Sequence, residues 1–545
     1  MHNGEKLNSV TDTWRLLYEY NKECRHTIAH LFEDDSDRFK RFSASSDGLL
    51  LDYSKTRLDD RALGLLLKLA DAACLSDHIQ NLLDGQLVNL SEQRPALHSA
   101  LRATDPGSIL GQEQAARVID AKQRMLHLAS QLNDGRIPGS NSPVTDIIHI
   151  GIGGSSLGPE LVGRALAGPR SGKPQVHFLA SADGHGVQQL TSQLDPHTSV
   201  LVVASKSFTT SETMLNCKSL TDWMSANAVA SVNERMIAIT ARPERALELG
   251  LTEDNILPVW DWVGGRFSVW SAMGLPAACL LGSEGFTQFL AGGEAMDNHF
   301  RSTPLRQNLP VLLALIGIWH RNICAAGQLA VMPYDLRLKL LPDWLQQLDM
   351  ESNGKSITQS GEVAGQATAP VILGGCGTAS QHSVFQAIHQ GSELIPVEFI
   401  GVINPDHGLP DHQRLQLAHL LAQSEALAMG RDAAQTAAQL AEDGMSESEI
   451  QRQLASRVFW GNRPTITLLL DRLSPYSLGQ LMALYEHKIF VQSVLWEINA
   501  FDQWGVELGK TVASGILAQL QEQSRTGSDG PPASLLDYVR HRTTG

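Results

Sequence analysis

Apolar positions along the chain change their spacing close to residue 146. Before that point they recur at helical spacing, first at Trp14, Leu17 and Tyr18 and again within residues 63–70, which predicts a helical N-terminal region. Beyond it, short apolar runs rich in β-branched residues alternate with helical stretches. These runs, each of which predicts a buried strand, lie at 147–150, 175–180, 199–205, 236–240, 329–334, 370–375, 395–403 and 465–470.

Alternating strands and helices predict parallel sheets that are covered by helices on both faces. Helical stretches at 267–281 and 309–323 divide the strands into two groups, so the expected fold class is α/β with two doubly wound parallel sheets. A strand, a Gly-rich turn and hydroxyl residues follow one another in both groups, at 147–156 and 370–380, which suggests a duplication. Helical periodicity continues over 410–457.

The expected organisation has four parts. A helical N-terminal region (1–115) packs on the larger domain, and it is followed by a small α/β domain (116–285), a large α/β domain (286–510) and a C-terminal arm (511–545). Gly, Pro and Ser are concentrated in 523–534, which predicts a linker within that arm.

The composition excludes several classes of protein. The chain has 545 residues, of which 43% are hydrophobic and 19% charged, as in ordinary globular proteins. Its 43 Lys and Arg against 58 Asp and Glu give a net charge of −15, which opposes general attraction to nucleic acid or to an anionic membrane. An anionic ligand would therefore need a local binding site.

Cysteine usage and the N-terminus point to the cytoplasm. The six cysteines lie far apart, without a C-x-x-C pair or a histidine cluster at metal-ligand spacing, so we expect reduced thiols and no metal. Residues 1–15 lack the apolar core of a signal peptide, and the longest apolar run, 311–319, is too short to cross a bilayer. We expect a soluble cytoplasmic protein.

Two turns that follow predicted strands carry candidate binding residues. The first, 151-GIGGSSLGPEL-161, opens a helix, but Ser156 stands where a dinucleotide fingerprint requires glycine. The second, 205-SKSFTTSET-213, combines hydroxyls, exposed amides and Lys206, the groups that hold a phosphate monoester. Either turn alone could be a plain strand-to-helix connection. Together, at one edge of a parallel sheet, they favour a single phosphate.

Three further segments carry candidate catalytic groups. Glu351 stands in a polar stretch with loop-forming residues after it, where its carboxylate could act as a general base. His389 falls in the last turn of a helix stopped by Gly391, where the helix dipole favours its protonated form. Arg266 follows two glycines and could reach an anion, or make an interior ion pair. The residue spacing around Lys510 does not distinguish it from an ordinary surface lysine.

Taken together, these segments resemble the phosphoglucose isomerase family. The resemblance rests on both family signatures, 261-DWVGGRFSVWSAMG-274 and 493-SVLWEINAFDQWGVELGK-510, and continues through ordered matches from about residue 145 to 510. It implies two sugar-isomerase-type domains and the reversible conversion of D-glucose 6-phosphate to D-fructose 6-phosphate, in glycolysis and gluconeogenesis, without metal or cofactor. It also implies a homodimer in which His389 completes the neighbouring active site.

The resemblance also implies individual roles. By position in the motifs, Glu351 is the base, Arg266 stabilises an enediolate, His389 assists ring opening with Glu212 orienting it, and Lys510 acts near the ring oxygen. The residues expected to bind the substrate or its phosphate are Ser155, Ser205, Lys206, Ser207, Thr210, Gln347 and Gln503.

Some positions depart from the family pattern. Ser207 replaces a common threonine and keeps the hydroxyl, while Ser156 replaces a common aspartate and Ser211 a common glutamine. Two other functions compete: a non-catalytic sugar-phosphate sensor, which need not keep the four catalytic candidates together, and an isomerase that also accepts mannose 6-phosphate. The missing fingerprint disfavours an NAD-dependent dehydrogenase.

Overall fold

The computed structural model describes residues 2–24, 26–137, 143–168, 172–521 and 534–542. It divides into two compact units, residues 1–500 and 501–545, each of which is described by itself. The expected division into four parts stays a prediction. The predicted linker 523–534 lies outside the described residues except for Ser534.

Eleven strands lie within the described residues. They are β1 (Ser43–Ser46), β2 (Leu49–Asp52), β3 (Asp146–Ile150), β4 (Gln175–Leu179), β5 (Ser199–Ala204), β6 (Met236–Thr240), β7 (Ile256–Pro258), β8 (Gln328–Pro333), β9 (Val371–Gly374), β10 (Val397–Val402) and β11 (Thr465–Leu470). The eight predicted strands are confirmed, with ends shifted by one or two residues. The hairpin β1–β2 and the three-residue β7 were not predicted.

The strands form two sheets, and the α/β fold class is confirmed. The first has the order β4-β3-β5-β6-β7 and is parallel throughout. The second has the order β1-β2-β11-β10-β8-β9, with β8 to β11 parallel and the hairpin added antiparallel to β11. Strand β5 is buried at every position, as expected for a central strand with both faces covered.

The prediction that the N-terminal region is wholly helical is wrong at residues 43–52. Strands β1 and β2 join through Asp47 and Gly48, whose φ angles of 46° and 79° are those of a tight two-residue hairpin turn. Leu49 and Leu51 then pair with Leu470 and Leu468 of β11. The Asp-Gly pair was a signal for a hairpin turn, but the serine-rich strand β1 beside it has no alternating apolar pattern.

The described residues also form helices, which cover both sheets. They are α1 (His2–Glu23), α2 (Ile28–Asp34), α3 (Arg38–Arg41), α4 (Asp60–Ala72), α5 (Leu75–Leu83), α6 (Gly107–Leu110), α7 (Gln112–Asn133), α8 (Leu157–Leu166), α9 (Gly184–Gln193), α10 (Ser211–Ala226), α11 (Pro243–Glu248), α12 (Leu275–Ser302), α13 (Leu309–Ile318), α14 (Leu341–Leu345), α15 (Gly377–Gln381), α16 (Phe385–Gln390), α17 (Pro410–Met429), α18 (Ala433–Glu442), α19 (Glu447–Arg457), α20 (Pro475–Leu495), α21 (Glu507–Gln521) and α22 (Leu535–Arg542).

Two predicted helices are more complex than a single α-helix. The stretch 267–281 contains the 3₁₀ turns Gly265–Trp270 and Ala272–Gly274 before α12 begins at Leu275. The stretch 309–323 is α13 followed by a π-helical turn, Trp319–Ile323. The helical periodicity predicted over 410–457 is confirmed and is divided among the three helices α17, α18 and α19.

Helix α20 lies in the core of the first unit. It is buried at every position from Leu478 to Ser493, including the consecutive polar residues Glu486, His487 and Lys488. A helix that is buried on all sides must pair each of its charged groups inside the protein. No helix in the described ranges is both long and apolar enough to cross a membrane.

Candidate active site

The two candidate binding turns lie side by side. Strands β3 and β5 are parallel neighbours, so the turns that follow Ile150 and Ala204 leave the same edge of the sheet. The first turn contains the 3₁₀ segment Gly153–Ser155, and the second leads into α10. This edge is where parallel α/β sheets bind ligands.

Hydroxyl groups of the second turn are held by hydrogen bonds within the turn. The Ser205 Oγ accepts a hydrogen bond from the Phe208 amide at 3.1 Å and lies 3.0 Å from Thr210 Oγ1. The Ser207 Oγ accepts from the Thr209 amide and hydroxyl. Phe208 has a φ of 53° although it is buried and not glycine. Such backbone strain is found at ligand-binding sites, where surrounding contacts maintain it.

Lys206 bridges this turn to the first signature segment. Its Nζ donates to the carbonyls of Asp261 and Val263, at 2.8 and 3.0 Å. Burial lowers the Lys206 pKa to about 8, with Arg94 adding to the effect. The side chain therefore carries a positive charge near neutral pH and ties its turn to residues 261–263.

The glycines of the first turn allow a close approach to the arginine segment. A Cβ at Gly154 would overlap the Gly265 carbonyl and the Arg266 nitrogen, and a Cβ at Gly153 would lie 3.1 Å from Gln347 Nε2. Ser155 is half-buried, and its carbonyl contacts His149 Nε2 at 2.8 Å. The turn thus brings Arg266 and Gln347 to the same sheet edge.

Arg266 is buried and held by neighbouring groups. It lies in the 3₁₀ turn Gly265–Trp270, where Nε donates to Ser352 Oγ at 2.6 Å and Nη2 donates to the Ala500 carbonyl at 2.5 Å. Its Nη1 lies 3.6 Å from Glu351 Oε1. The guanidinium is fixed before any ligand binds, as an anion-stabilising group requires.

The segment with Arg266 is anchored to α20. Trp270 Nε1 donates to the buried Glu486 carboxylate at 2.8 Å, and Arg102 Nη1 donates to the same carboxylate at 2.6 Å. Phe267 stacks on the ring of His98, with centroids 4.7 Å apart. These contacts, which the sequence did not reveal, set the orientation of the 3₁₀ turn.

Glu351 ends a π-helical turn, Gln346–Glu351, that continues α14. The loop-forming residues after it, Ser352 and Asn353, are fully buried. The Glu351 side chain itself retains 23% of its exposure, so its carboxylate reaches solvent beside a buried arginine. Turns with π-helical bonding are rare and occur frequently at functional sites.

Gln347 lies on the same π-helical turn. Its Oε1 is buried and has no hydrogen-bond partner among the residues that the structure describes. A buried amide oxygen without a partner costs free energy, so it is the kind of group that a ligand hydroxyl or a water satisfies.

His389 lies in the last turn of α16, as predicted. Burial lowers the His389 pKa, although the hydrogen bond with Gln423 Oε1, at 2.9 Å from Nε2, raises it. Burial thus opposes the protonated form that the helix dipole was expected to favour. Within this chain its hydrogen-bond partner is Gln423; the half-buried Glu212 accepts from Ser211 Oγ.

Gln503 and Lys510 belong to the second unit, residues 501–545. Gln503 precedes the 3₁₀ turn Trp504–Val506, and Lys510 lies in the first turn of α21, where its Nζ pairs with Glu507 at 2.8 Å. The first unit thus brings together Ser155, Ser205, Lys206, Ser207, Thr210, Arg266, Gln347 and Glu351.

Comparisons with known proteins agree with one another. The family model described as phosphoglucose isomerase matches residues 52–536. A glucose-6-phosphate isomerase of Pseudomonas aeruginosa is 42% identical over 541 residues, 98% of either chain. One of Brucella anthropi is 44% identical over 532 residues, 97% of this chain and 96% of its own. The crystal structure of a glucose-6-phosphate isomerase from Chlamydia trachomatis matches with a TM-score of 0.81 at 31% identity, covering 94% of this chain and 96% of that one.

Proposed function

The chain belongs to the phosphoglucose isomerase family, and from that premise we propose that it interconverts D-glucose 6-phosphate and D-fructose 6-phosphate. The reaction oxidises C2 and reduces C1 of the same sugar, so electrons balance within the substrate and no external oxidant or reductant is needed. It would serve glycolysis and gluconeogenesis in the cytoplasm.

Glu351 is the proposed base. It removes the proton from C2 of the opened aldose and delivers it to C1, while O1 gains a proton to become a hydroxyl and O2 loses its proton to become the ketone carbonyl. The negative enediolate that forms between these steps needs a cation that is already in place. The single observation that carries the proposal is the 3.6 Å approach of the buried Arg266 guanidinium to the Glu351 carboxylate.

The substrate phosphate binds, in this proposal, to the turn 205–210. Hydroxyls of Ser205, Ser207 and Thr210, backbone amides and the charge of Lys206 supply donors, with Ser155 nearby. Gln347 and Gln503 then contact the sugar. This local set of donors holds a phosphate dianion although the net charge of the chain is −15.

Ring opening is assigned to His389 and Lys510, with the histidine supplied across a homodimer and Glu212 orienting it. Helix α21 supports the dimer, because Leu508, Val512, Ile516 and Leu520 form a stripe at four-residue spacing and are each at least 40% exposed. Such an apolar stripe is typical of a helix that packs against another chain. The second copy of this chain is the proposed partner.

A coupled assay of the purified protein tests the function. With D-fructose 6-phosphate, we expect formation of D-glucose 6-phosphate that is unaffected by a metal chelator. Binding of the sugar phosphate without turnover would instead favour the sensor. Turnover of mannose 6-phosphate in the same assay would extend the function to the dual isomerase.

A further inference from the structure

A buried lysine lies next to the segment that carries Glu351. Lys488 is 2% exposed and lies on α20. Its Nζ contacts two carboxylates, Asp349 Oδ2 at 3.3 Å and Glu398 Oε1 at 3.8 Å. The second carboxylate also accepts a hydrogen bond from Tyr485 at 2.9 Å.

Lys488 is therefore held in its charged form. Although burial alone would lower the Lys488 pKa, Glu398 and Asp349 raise it. Burial raises the Asp349 pKa, which the lysine opposes. The cluster consists of one cation, two carboxylates and a phenol, all of them buried.

Asp349 connects this cluster to the proposed base. It lies two residues before Glu351 in the π-helical turn Gln346–Glu351. Its Oδ1 has no hydrogen-bond partner among the described residues. Among those residues, the carboxylate is therefore held through the contact of Oδ2 with Lys488. A second bond to α20 follows, from Asn353 Nδ2 to the Ile489 carbonyl at 3.1 Å.

Stability alone is a poor reason for this pair. Removing a lysine and a carboxylate from water is costly, and apolar residues of the same size often stabilise a core equally well or better. A π-helical turn, in contrast, has weaker intrinsic preference than an α-helix and needs external contacts to fix it. A base displaced by about 1 Å can lose about a hundredfold in rate.

We propose that Lys488, acting through Asp349, is a positioning residue that fixes the π-helical turn and so holds Glu351 at its distance from Arg266. This inference rests on the proposed isomerase function, with Glu351 as the base. It predicts that loosening the pair slows proton abstraction in particular, and leaves phosphate binding at the turn 205–210 largely unchanged.

Two variants and a matched control test the proposal. Lys488→Met removes the cation, and Asp349→Asn keeps the shape of the side chain while leaving Lys488 paired with Glu398. Gln480→Met is the control, because Gln480 is buried on the same helix but donates to the Asp47 carbonyl, in the β1–β2 hairpin. Each protein is assayed with D-glucose 6-phosphate and with the same sugar deuterated at C2, and its folded fraction is measured by thermal unfolding.

We expect Asp349→Asn and Lys488→Met to lower kcat by about 10- to 100-fold with KM changed less than about threefold, and to increase the deuterium isotope effect on kcat. Gln480→Met should keep the wild-type isotope effect. A loss of kcat that only follows the folded fraction, with an unchanged isotope effect, would overturn the positioning role. If Lys488→Met does not fold, Asp349→Asn decides alone. Failure of the proposed function would be distinct, since the wild-type protein itself would then lack turnover.

Discussion

The Arg266 guanidinium faces the Glu351 carboxylate at 3.6 Å. Both residues are held by the segment that follows Glu351 in the chain. Ser352 accepts a 2.6 Å hydrogen bond from Arg266, while Lys355 donates to the carbonyls of Glu351, Ser352 and Asn499. The proposed base and the neighbouring cation are therefore positioned relative to one another before substrate arrives. Such preorganisation is the largest single contribution in many enzymes that form anionic intermediates.

Arg266→Lys tests the role of the guanidinium. A lysine keeps the charge but cannot donate to Ser352 and Ala500 while also facing Glu351. We expect kcat to fall by about 10²- to 10³-fold, with a smaller change in KM, in steady-state assays of both reaction directions. A variant with wild-type kcat would remove Arg266 from the stabilisation of the enediolate.

Lys206 predicts a pH dependence of KM. The pKa of Lys206 is lowered by burial to about 8, so the charge is present at pH 7 and lost as pH rises through 8. KM for the sugar phosphate should therefore increase about tenfold between pH 7 and pH 9. Steady-state kinetics of Lys206→Met should give a KM that is high at both pH values. A KM that is constant over this range in the wild-type protein would show that the charge does not assist phosphate binding.

His149 predicts acid sensitivity. Burial lowers its pKa to about 4, below the ordinary value of 6.5, so the unfolded chain binds the proton first on acidification. Its contribution to the free energy of unfolding is complete above pH 6.5 and is lost as pH falls to 4, by about 3 kcal/mol. Urea unfolding of His149→Gln should show a smaller decrease between pH 6.5 and 4.5. The same change at the exposed His185 is the control, and equal slopes for all three proteins would refute the prediction.

The apolar stripe of α21 predicts the oligomeric state. The wild-type mass by light scattering should be about twice 59.3 kDa. Val512→Glu combined with Ile516→Glu should give monomers with little isomerase activity, because each proposed site needs His389 of the partner subunit. Gln521→Glu, on the opposite face of the same helix, should remain dimeric. A fully active monomer would contradict the shared site.

Much of the fold could be predicted because the spacing of apolar residues along the sequence agrees with which residues the fold buries. Strands such as β5 are continuously apolar and bounded by turn residues, so one pattern identified both the strand and the parallel sheet. Hairpin β1–β2 was missed because its pairing with β11 joins segments more than 400 residues apart, which no local pattern records.

The residues of the candidate site were proposed from their motifs, and the sequence said less about their geometry. Glu351, Arg266 and the turn 205–210 stay proposed site residues, and the π-helical turn that carries Glu351 depends on tertiary contacts with α20. Glu486 and Lys488 were not identified, although three consecutive polar residues between the apolar runs of this helix were a usable signal. The burial that lowers the pKa of His389 is a tertiary property, which sequence alone does not supply.

The central claim is that Glu351 moves the proton between C2 and C1. Glu351→Gln keeps the size and hydrogen-bonding capacity of the side chain and removes the base. Binding, turnover and deuterium incorporation are measured together in deuterium oxide. For this variant we expect sugar-phosphate binding within about threefold of wild type, turnover reduced by about 10³-fold and no deuterium incorporated at C1 or C2. Turnover and deuterium incorporation equal to those of the wild-type protein would contradict the assignment.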